Sequence, residues 1–588
     1  MVWRGRSDGA EILNHCIHRG GTIRGFSFTG ASGKMDREAY MDQSDFQFGL
    51  SPNQPPVLED YDLFASDTAL REAAEHNGGG WNHEHSINFG RFLGRAESLA
   101  LGDIVNKNPP ILKTHDRFGN RLDLVEFHPA YHELMRVSVE NKVHSLAWIN
   151  EQDGAYVARS VLAFLKQQVD EGTSCPLTMT FAAVPSLRIS PEIADEWLPK
   201  VLSSEYDPRF LPVEEKRGAT FGMAMTEPQG GSDVRSNLTF AEKLNGMGEY
   251  RLTGRKWFCS APMSDAFLVL AQTKSGLSCF VLPRFTPHGS KNTLYFQRLK
   301  DKLGNRSNAS GEVEFHGTFG KIIGDEGRGV ANIMEMVRHT RLDCSVGSAA
   351  TLRRAVAESI HHCAHRIAFG KLLIEQPLMQ NLLADLALES EAATALAFRL
   401  ARGFDESRSN DGARLFSRAA TAIGKFWICK RAVFAVGEAL EVLGGNGYVE
   451  ESVLPRLYRD IPVNSIWEGS GNVQCLDVLR SMQKEPESID AVLQEINSAR
   501  GLNDFFDRFI TTLPDEFAEA DSREFRARRI VEKTALALQA TCLLKTAPAF
   551  VAEAFCLSRL SNNYLSFGTL PPEVEAEKII ERSRPQIE

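Results

Sequence analysis

Long hydrophobic runs, paired cysteines and excess positive charge are all missing from this chain of 588 residues. No stretch of about 18 uninterrupted apolar residues occurs and the first residues carry no apolar segment, so we expect neither a membrane span nor a secretory signal. The ten cysteines are scattered without a C-x-x-C pair, which predicts free thiols in a reducing compartment. A formal net charge of −10 disfavours a general binder of nucleic-acid backbones.

The amino terminus carries charges of both signs. Four arginines lie within the first thirty residues, but Asp8 and Glu11 lie among them, whereas mitochondrial presequences are poor in acidic residues. We therefore expect a cytoplasmic protein, with the mitochondrial matrix as the alternative. Residues 585–588 do not match the peroxisomal tripeptide.

The hydrophobic pattern divides the first third of the chain in two. Residues 1–60 are rich in Gly, Ser, Asp and Pro with little periodicity, which predicts an irregular arm. Helical periodicity then begins, and Ser66 and Asp67 are candidate caps for its first segment. We expect an all-helical domain at residues 61–217, with helices near residues 68–75, 87–102, 128–144 and 155–168.

The remaining chain changes from strand to helix patterning. Short β-type runs separated by Gly, Pro and charged turns predict a β domain at residues 218–325. Long amphipathic helices follow at residues 330–366, 378–402 and 413–443, so we expect a helical bundle at 326–480 and a further helical domain at 481–588. Helix, sheet and helix in this order predict an α+β protein, not a doubly wound fold.

Two glycine clusters lie near residue 460, with one carboxylate, Glu468, in the second of them. Gly444, Gly445 and Asn446 leave backbone N–H groups uncovered, which suits the close approach of a phosphate or a flat cofactor; a plain helix end is the alternative. Glu468 lies between an indole and a glycine and is our candidate for a catalytic base. Ser470 fits either a ligand contact or the cap of the next helix.

The order and spacing of these elements resemble the acyl-CoA dehydrogenases. The family has a Leu-Gly-Gly-Asn-Gly-aromatic loop, an Arg-Asp pair and an aromatic-Glu-Gly-Ser/Thr string; here these are residues 443–448, 459–460 and 467–470. The resemblance implies an α+β fold with an N-terminal helical domain, a middle β-barrel-like domain and a C-terminal helical bundle. It also implies bound FAD and a homotetramer assembled as a dimer of dimers.

Two strings in the β domain extend the resemblance. Residues 225–233 are similar to the family's Met-Thr-Glu-Pro-x-x-Gly-Ser-Asp loop, and residues 253–260 to a second motif whose aromatic packs on the flavin. Cys259 stands where we expect the family's threonine, so Ser260 or the backbone must make the contact at N5. The resemblance implies that these residues bind the flavin: Met225, Thr226, Gly231, Ser232, Trp257, Phe258, Cys259 and Ser260.

A third motif, at residues 366–370, is similar to the family's Arg-x-x-Phe-Gly, in which arginine reaches the pyrophosphate of FAD held mainly by a neighbouring subunit. Two positions depart from the family, since Gln376 comes one residue early and Glu441 replaces a glutamine. The implied remaining cofactor contacts are Arg366, Phe369, Gln376, Gly444, Gly445, Asn446, Trp467, Ser470 and Asn472.

A subgroup of the family, the alkylation-response flavoproteins, resembles this chain nearly end to end, including the added C-terminal helical domain. In a bacterial member that domain is associated with DNA binding. Here residue 481 onward holds 13 Lys plus Arg against 18 Asp plus Glu. Because its basic residues cluster only at Arg523, Arg526, Arg528 and Arg529, we do not expect nucleic-acid binding.

The resemblance implies α,β-dehydrogenation of a saturated, medium- to long-chain fatty acyl-CoA to the trans-2-enoyl-CoA. Glu468 would remove the α-proton while hydride passes to flavin N5, and electrons would leave to an acceptor that the sequence does not identify. Ser232, Arg341, Glu468 and Gly469 are the expected substrate contacts. The alternatives are an acyl-CoA-sequestering flavoprotein with little turnover and a nucleic-acid-associated stress protein on the same fold.

Histidines are the remaining candidates for chemistry. His128 and His132 are spaced one helical turn apart, and His361, His362 and His365 lie close in sequence. Neither group completes a zinc motif at ligand spacing, so we interpret them as structural or surface residues and expect no metal.

Overall fold

The computed structural model describes residues 53–244, 247–561 and 565–587. Most of the arm expected at residues 1–60 therefore lies outside the described residues. Each helix among these residues is either too short or too polar to span a lipid bilayer.

The first region contains eight α-helices and one hairpin. Its first helix begins as expected, because the Asp67 side chain accepts a hydrogen bond of 3.0 Å from the backbone N–H of Leu70. The elements are α1 Thr68–His76, α2 His83–Leu93, α3 Ala96–Lys107, β1 Ile111–His115, β2 Arg121–Glu126, α4 Pro129–Glu140, α5 Leu146–Ile149, α6 Ala155–Gln167, α7 Ser174–Leu187 and α8 Pro191–Val201.

The expectation of an all-helical region was wrong, since β1 and β2 form an antiparallel hairpin. Asp123 of this hairpin is fully buried and accepts a hydrogen bond of 2.9 Å from the backbone N–H of Phe296 in the β domain. Arg121 donates to the carbonyl of the same residue at 2.8 Å. The hairpin is thus stabilised by contacts about 170 residues away, which helical periodicity does not reveal.

The single helix expected at residues 87–102 is also wrong, because the chain breaks between α2 and α3. Gly94 accepts a hydrogen bond of 2.8 Å from the backbone N–H of Asp60. A β-carbon at Gly94 would lie 1.7 Å from the carbonyl oxygen of Tyr61. The segment of Asp60 and Tyr61 crosses the chain at Gly94, so only glycine fits at this position. Helix α2 ends there.

The middle region is a seven-stranded, barrel-like sheet. Its strands are β3 Phe221–Ala224, β4 Phe240–Lys243, β5 Glu249–Ser260, β6 Ala266–Thr273, β7 Gly276–Pro283, β8 Leu294–Leu299 and β9 Ser310–Ile323. The order is β3-β5-β4-β6-β7-β9-β8, and further pairings of β3 with β6 and of β5 with β9 close the sheet on itself. The β-type runs of the sequence, at residues 250–253, 266–272, 279–283, 293–298 and 312–315, lie in or overlap β5 to β9, whereas β3 and β4 were not expected.

The third region is helical, and its long helices agree with the expected ones to within a few residues. Its elements are α9 Gly329–His365, β10 Ile367–Ala368, β11 Lys371–Leu372, α10 Pro377–Glu406, α11 Asp411–Val442, α12 Gly445–Tyr448, α13 Leu454–Asp460 and α14 Gly471–Lys484. The tail adds α15 Glu487–Asn497, α16 Asp504–Thr511, α17 Leu513–Ala518, α18 Ala527–Thr546, α19 Ala549–Phe555 and α20 Ala576–Ser583.

Two hydrophobic clusters position the site. The largest joins α9, α10 and α11 to the first helices and to the tail, so the tail helices pack into the bundle's own core. The second joins α7 to the sheet, through Val184, Phe221 and Leu268, and Met225 and Trp467 pack at its edge. Helix α7 is therefore the element that connects the sheet to the bundle.

Candidate active site

Glu468 and Gly469 lie on a turn just before α14. Both have left-handed backbone conformations, with φ of 57° and 98°, and for a residue with a side chain this conformation is strained by about 1–3 kcal/mol. The turn is held from outside: the Lys425 ammonium donates to the carbonyl oxygens of Trp467 at 2.9 Å and Gly469 at 2.7 Å. Such an outlier at a well-held turn is typical of functional sites.

Two more side chains bind the same turn. Gln474 donates to the carbonyl oxygens of Glu468 at 2.9 Å and Gly469 at 2.8 Å. A β-carbon at Gly469 would lie 2.7 Å from this amide nitrogen, so a larger residue would displace it. Arg341 donates to the Glu468 carbonyl at 3.1 Å.

Arg341, which was expected to contact substrate, has protein partners on both sides of the turn. It is almost fully buried, and besides Glu468 it pairs with Asp477 on α14 at 2.6 Å. Arg418 of α11 binds the other oxygen of Asp477 at 3.0 Å. Arg341 thus links α9 to the turn and to α14, and its contact with substrate stays a prediction.

The Glu468 carboxylate is half-buried and faces α9. Its Oε2 accepts a hydrogen bond of 2.7 Å from the Thr340 hydroxyl. Burial raises the pKa of Glu468, while the Thr340 hydrogen bond and the charges of Lys425 and Arg341 lower it in part. A carboxylate with a raised pKa is better matched to removing a weakly acidic proton near neutral pH.

Glu468 borders a cavity of about 390 Å³, its open mouth included. The walls come mainly from α7, including Cys175, Thr178 and Met179, and from α9, including Thr340 and Cys344. Trp467 and Asn464 complete the side next to the base. The sequence did not predict α7 and therefore missed this wall.

The loop after β3, expected to bind the flavin edge, is fixed to β5. The backbone N–H of Trp257 donates to the carbonyl of Thr226 at 2.8 Å. Beside it, the buried Lys256 ammonium lies 2.7 Å from the buried Glu227 carboxylate. Burial opposes the charge of Glu227, but Lys256 and two backbone N–H groups prevail and lower its pKa to about 2. This pair, which the sequence did not single out, sets the position of Met225 and Thr226.

Near the C-terminal end of β5, successive side chains point to opposite faces of the sheet. Cys259 is buried in the core of the β domain, whereas Phe258 is about half exposed and Ser260 is partly exposed. The Cys259 thiol therefore faces away from the surface that presents the other two. Trp257 is partly exposed, and the Lys300 ammonium lies 3.3 Å from the centre of its ring.

The groups expected at the dinucleotide end of FAD lie on an exposed surface. Asn53 links to β10, since its side chain donates to the carbonyl of Ile367 at 2.8 Å and Arg366 donates to the Asn53 carbonyl. Gln54 accepts from Asn446 at 3.2 Å. Residues 53–54 thus join the segment of Arg366 to the glycine loop. Phe369, three residues after Arg366, is 99 % exposed.

The site fits a bound dinucleotide. Gly444 has a φ of 59°. A β-carbon at Gly444 or Gly445 would have no neighbour within 4 Å, so the backbone of both residues is open to a ligand. Ser470 is the first residue before α14 but makes no capping hydrogen bond, which leaves its hydroxyl available. Ser232, Gly231 and Asn472 are exposed as well. Gln376 donates to the carbonyl of Ala368 at 3.1 Å and supports the Arg366 segment.

The histidines have other partners. His128 caps α4 by accepting from the Ala130 N–H at 3.1 Å, and His132 lies 2.9 Å from the Tyr206 hydroxyl. His361 contacts the Pro56 carbonyl at 2.8 Å. Across the described ranges, no group of three or more His, Cys, Asp or Glu side chains is arranged to hold a metal.

Family models match three segments of the chain. These are the adaptive response protein AidB N-terminal domain at residues 53–208, the acyl-CoA dehydrogenase middle domain at 222–318 and the acyl-CoA dehydrogenase C-terminal domain at 327–483. "Putative acyl-CoA dehydrogenase AidB" of Escherichia coli is 48% identical over 506 residues, which cover 86% of this chain and 93% of that protein. The chain belongs to the acyl-CoA dehydrogenase family.

Other relatives agree with this membership. Acyl-CoA dehydrogenase family member 11 of Caenorhabditis elegans is 33% identical over 65% of this chain, which spans 63% of that protein. The crystal structure of ACDH-11 of the same organism in complex with C11-CoA superposes with a TM-score of 0.81 at 26% identity, covering 88% of this chain and 94% of the other. The acyl-CoA dehydrogenase fold and the FAD expected from the sequence are thus confirmed: this is an FAD-dependent oxidoreductase of that family.

Proposed function

We propose that this acyl-CoA dehydrogenase converts a saturated, medium- to long-chain fatty acyl-CoA to the trans-2-enoyl-CoA, with Glu468 as the base. The observation that carries the proposal is the Glu468 carboxylate at the edge of the cavity, hydrogen bonded to Thr340 and with a raised pKa. The C. elegans structure with C11-CoA supports an acyl-CoA of this length class as the ligand.

Each side chain at the turn has a separate role in the proposed reaction. Glu468 takes the α-proton, and its backbone N–H polarises the thioester oxygen, so that charge developing there is stabilised. Lys425, Gln474 and Arg341 bind the carbonyl oxygens of the turn and hold these two groups in place. FAD, when bound, supplies the acceptor for the hydride that leaves the β-carbon.

We also propose residue roles for binding. Met225, Thr226, Trp257, Phe258 and Ser260 would contact the flavin, and Ser232 and Gly469 the acyl-CoA. Arg366, Phe369, Gln376 and residues 444–446 would hold the dinucleotide end across a subunit boundary of a homotetramer. The exposure of Phe369 supports this assembly, because a fully exposed aromatic beside a binding segment is typical of a covered surface.

The test is anaerobic reduction of the flavin by a series of saturated acyl-CoAs. The reduction is monitored as the loss of the absorbance band of the oxidised flavin. Glu468→Gln keeps the shape of the side chain but removes the base, so thioesters should still bind while reduction slows by about 10²–10⁴-fold or more. Glu487→Gln, at an exposed position on α15, is the matched control and should reduce at the wild-type rate.

Equal rates in wild type and Glu468→Gln would contradict the role of Glu468. A wild-type flavin that binds acyl-CoA but stays oxidised at every chain length would favour a sequestering protein instead. Both results are read from the same titration, because binding perturbs the flavin spectrum without reducing it.

A further inference from the structure

The cavity beside Glu468 extends along α9, away from the catalytic turn. Thr340, which binds Glu468, and Gly347 both line it. Seven residues of α-helix rise about 10 Å, so the cavity reaches about that far from the base. At its inner end a β-carbon on Gly347 would lie 3.3 Å from the side chain of Gln167, which closes the space.

Glu171 is next to Gln167 at this inner end. Both side chains reach the hydroxyl of Thr351, one helical turn beyond Gly347, but only at 3.4 Å, so these hydrogen bonds are weak. The other carboxyl oxygen, Oε1, has no hydrogen-bond partner among the described residues, although Glu171 is only 5% exposed. A buried polar atom without a partner is costly and points to a bound group.

Asn464 is a second unpaired group that lines the same cavity. It is 3% exposed, and its Oδ1 accepts a hydrogen bond of 3.0 Å from the Trp467 indole. Its Nδ2 has no partner within the part of the chain that the structure describes. The amide therefore keeps a free N–H donor at the end of the cavity next to the base, and the carboxyl of Glu171 is the unpaired group at the inner end.

The electrostatics of the cavity decide which group suits these atoms. Burial raises the pKa of Glu171 well above its usual range, and the carboxylates of Asp460 and Asp170 raise it further. Both effects favour the protonated carboxyl, whose O–H donates. Asp343, the other acid of the wall, already pairs with Arg159 and accepts from Thr178 at 2.6 Å. Among the described lining residues there is no lysine or arginine.

We infer that the inner part of this cavity binds a neutral oxygen on the acyl chain, so that the preferred substrate is an acyl-CoA with a hydroxyl or carbonyl remote from the thioester. The inference rests on the proposed function. A plain alkyl chain would leave Oε1 of Glu171 buried without a partner, whereas an oxygen at the inner end forms a hydrogen bond with this carboxyl. A terminal carboxylate is disfavoured, because the carboxylates of Asp460 and Asp170 act on Glu171 more strongly than the ammonium of Lys166 does.

The experiment compares matched pairs of thioesters from four to ten acyl carbons: each alkanoyl-CoA with its ω-hydroxy and ω-carboxy counterparts. Binding to the FAD-loaded protein is titrated through the flavin spectrum, and kcat/KM is measured separately. At the length that reaches Glu171, the hydroxy compound should bind at least about fivefold more tightly than the alkyl one, and the carboxy compound should be the weakest.

Two variants link this preference to Glu171. Glu171→Gln keeps a neutral donor and should retain the preference for the hydroxy compound. Glu171→Leu removes the donor and should reverse it, with tighter binding of the alkyl compound. A purely structural role for Glu171 would lower binding of all three compounds alike, without changing their ratio.

Failure of this inference differs from failure of the proposed function. Equal affinities within every pair, or a ratio unchanged in Glu171→Leu, would show that buried water satisfies the carboxyl and would overturn the inference. If Glu171→Leu does not fold, the wild-type ratio and that of Glu171→Gln decide the matter. A flavin that stays oxidised with every thioester counts against the dehydrogenation alone, because the binding ratios are still measured.

Discussion

The hydroxyl of Thr340 donates a hydrogen bond of 2.7 Å to Oε2 of Glu468, across 128 positions of the sequence. This bond favours the ionised carboxyl and lowers its pKa, whereas burial raises it. The balance between these two effects sets the pH range in which the proposed base is ready to accept a proton.

Removal of the Thr340 hydroxyl should move the acid limb of the pH profile upward. Without the donor, burial acts with less opposition, the pKa of Glu468 rises, and a higher pH is needed to ionise the base. We expect the limb of kcat/KM in Thr340→Val to shift to higher pH by about one unit, equivalent to about 1.4 kcal/mol. Thr340→Ser keeps the hydroxyl and should restore the wild-type profile; a limb that does not move in Thr340→Val would exclude the hydrogen bond from tuning the base.

Loss of the Lys425 ammonium should loosen the catalytic turn. Lys425→Met keeps most of the volume but removes both hydrogen bonds to the carbonyl oxygens of Trp467 and Gly469, and net hydrogen bonds from a charged group contribute about 1.5–3 kcal/mol. We expect a lower thermal midpoint and a lower kcat with a smaller change in KM. Lys430→Met, on the same helix and partly exposed, is the control. Indistinguishable kinetics in the two variants would argue against a positioning role.

Breaking the buried pair of Lys256 and Glu227 should destabilise the flavin-edge loop. Glu227→Gln leaves the ammonium buried without its counter-charge, which costs about 3–5 kcal/mol. We expect a clear fall in the thermal midpoint and weaker FAD retention. The double change of Glu227→Gln with Lys256→Met should recover part of the loss, because no unpaired charge remains; no recovery would mean that the packing, not the charge, matters.

The same pair predicts a pH dependence of stability. The pKa of Glu227 in the folded protein is about 2, below its usual value of 4.5, so its ionised form stabilises the fold. That contribution is complete above about pH 4.5 and is lost as pH falls from there toward 2. The difference in thermal midpoint between wild type and Glu227→Gln should therefore shrink over this window, and a constant difference would contradict the assignment.

Phe369 offers a test of assembly. Because the side chain is fully exposed within one chain, Phe369→Ser should not disturb the folding of the subunit. If the segment packs against a neighbouring subunit and its FAD, the variant should show a smaller mass by light scattering and release FAD more readily. Phe118→Ser, at an exposed position on the turn between β1 and β2, should change neither; a flavin-loaded wild-type monomer would contradict the proposed tetramer.

The chain order of helix, sheet and helix was predictable because each kind of element has its own hydrophobic period. The long helices α9, α10 and α11 were located from this period to within a few residues, and parts of β5 to β9 were detected, whereas β3 and β4 were missed. The hairpin of β1 and β2 was not, since Asp123 and Arg121 find their partners in β8. Gly94 likewise ends a helix because Tyr61 crosses it.

The residues of the candidate site fall into the same two classes. Glu468 and the glycine loops stand out in the sequence because the residues that form each motif lie within a few positions of each other. Thr340, Lys425, Gln474 and Glu171 do not, since each matters only through the residue it meets. The sequence by itself determined the order of the helical and β regions, the family and the candidate base. The tertiary structure alone decided the raised pKa of Glu468, the support of its turn and the polar interior of its cavity, because burial and hydrogen bonding between distant residues arise only on folding.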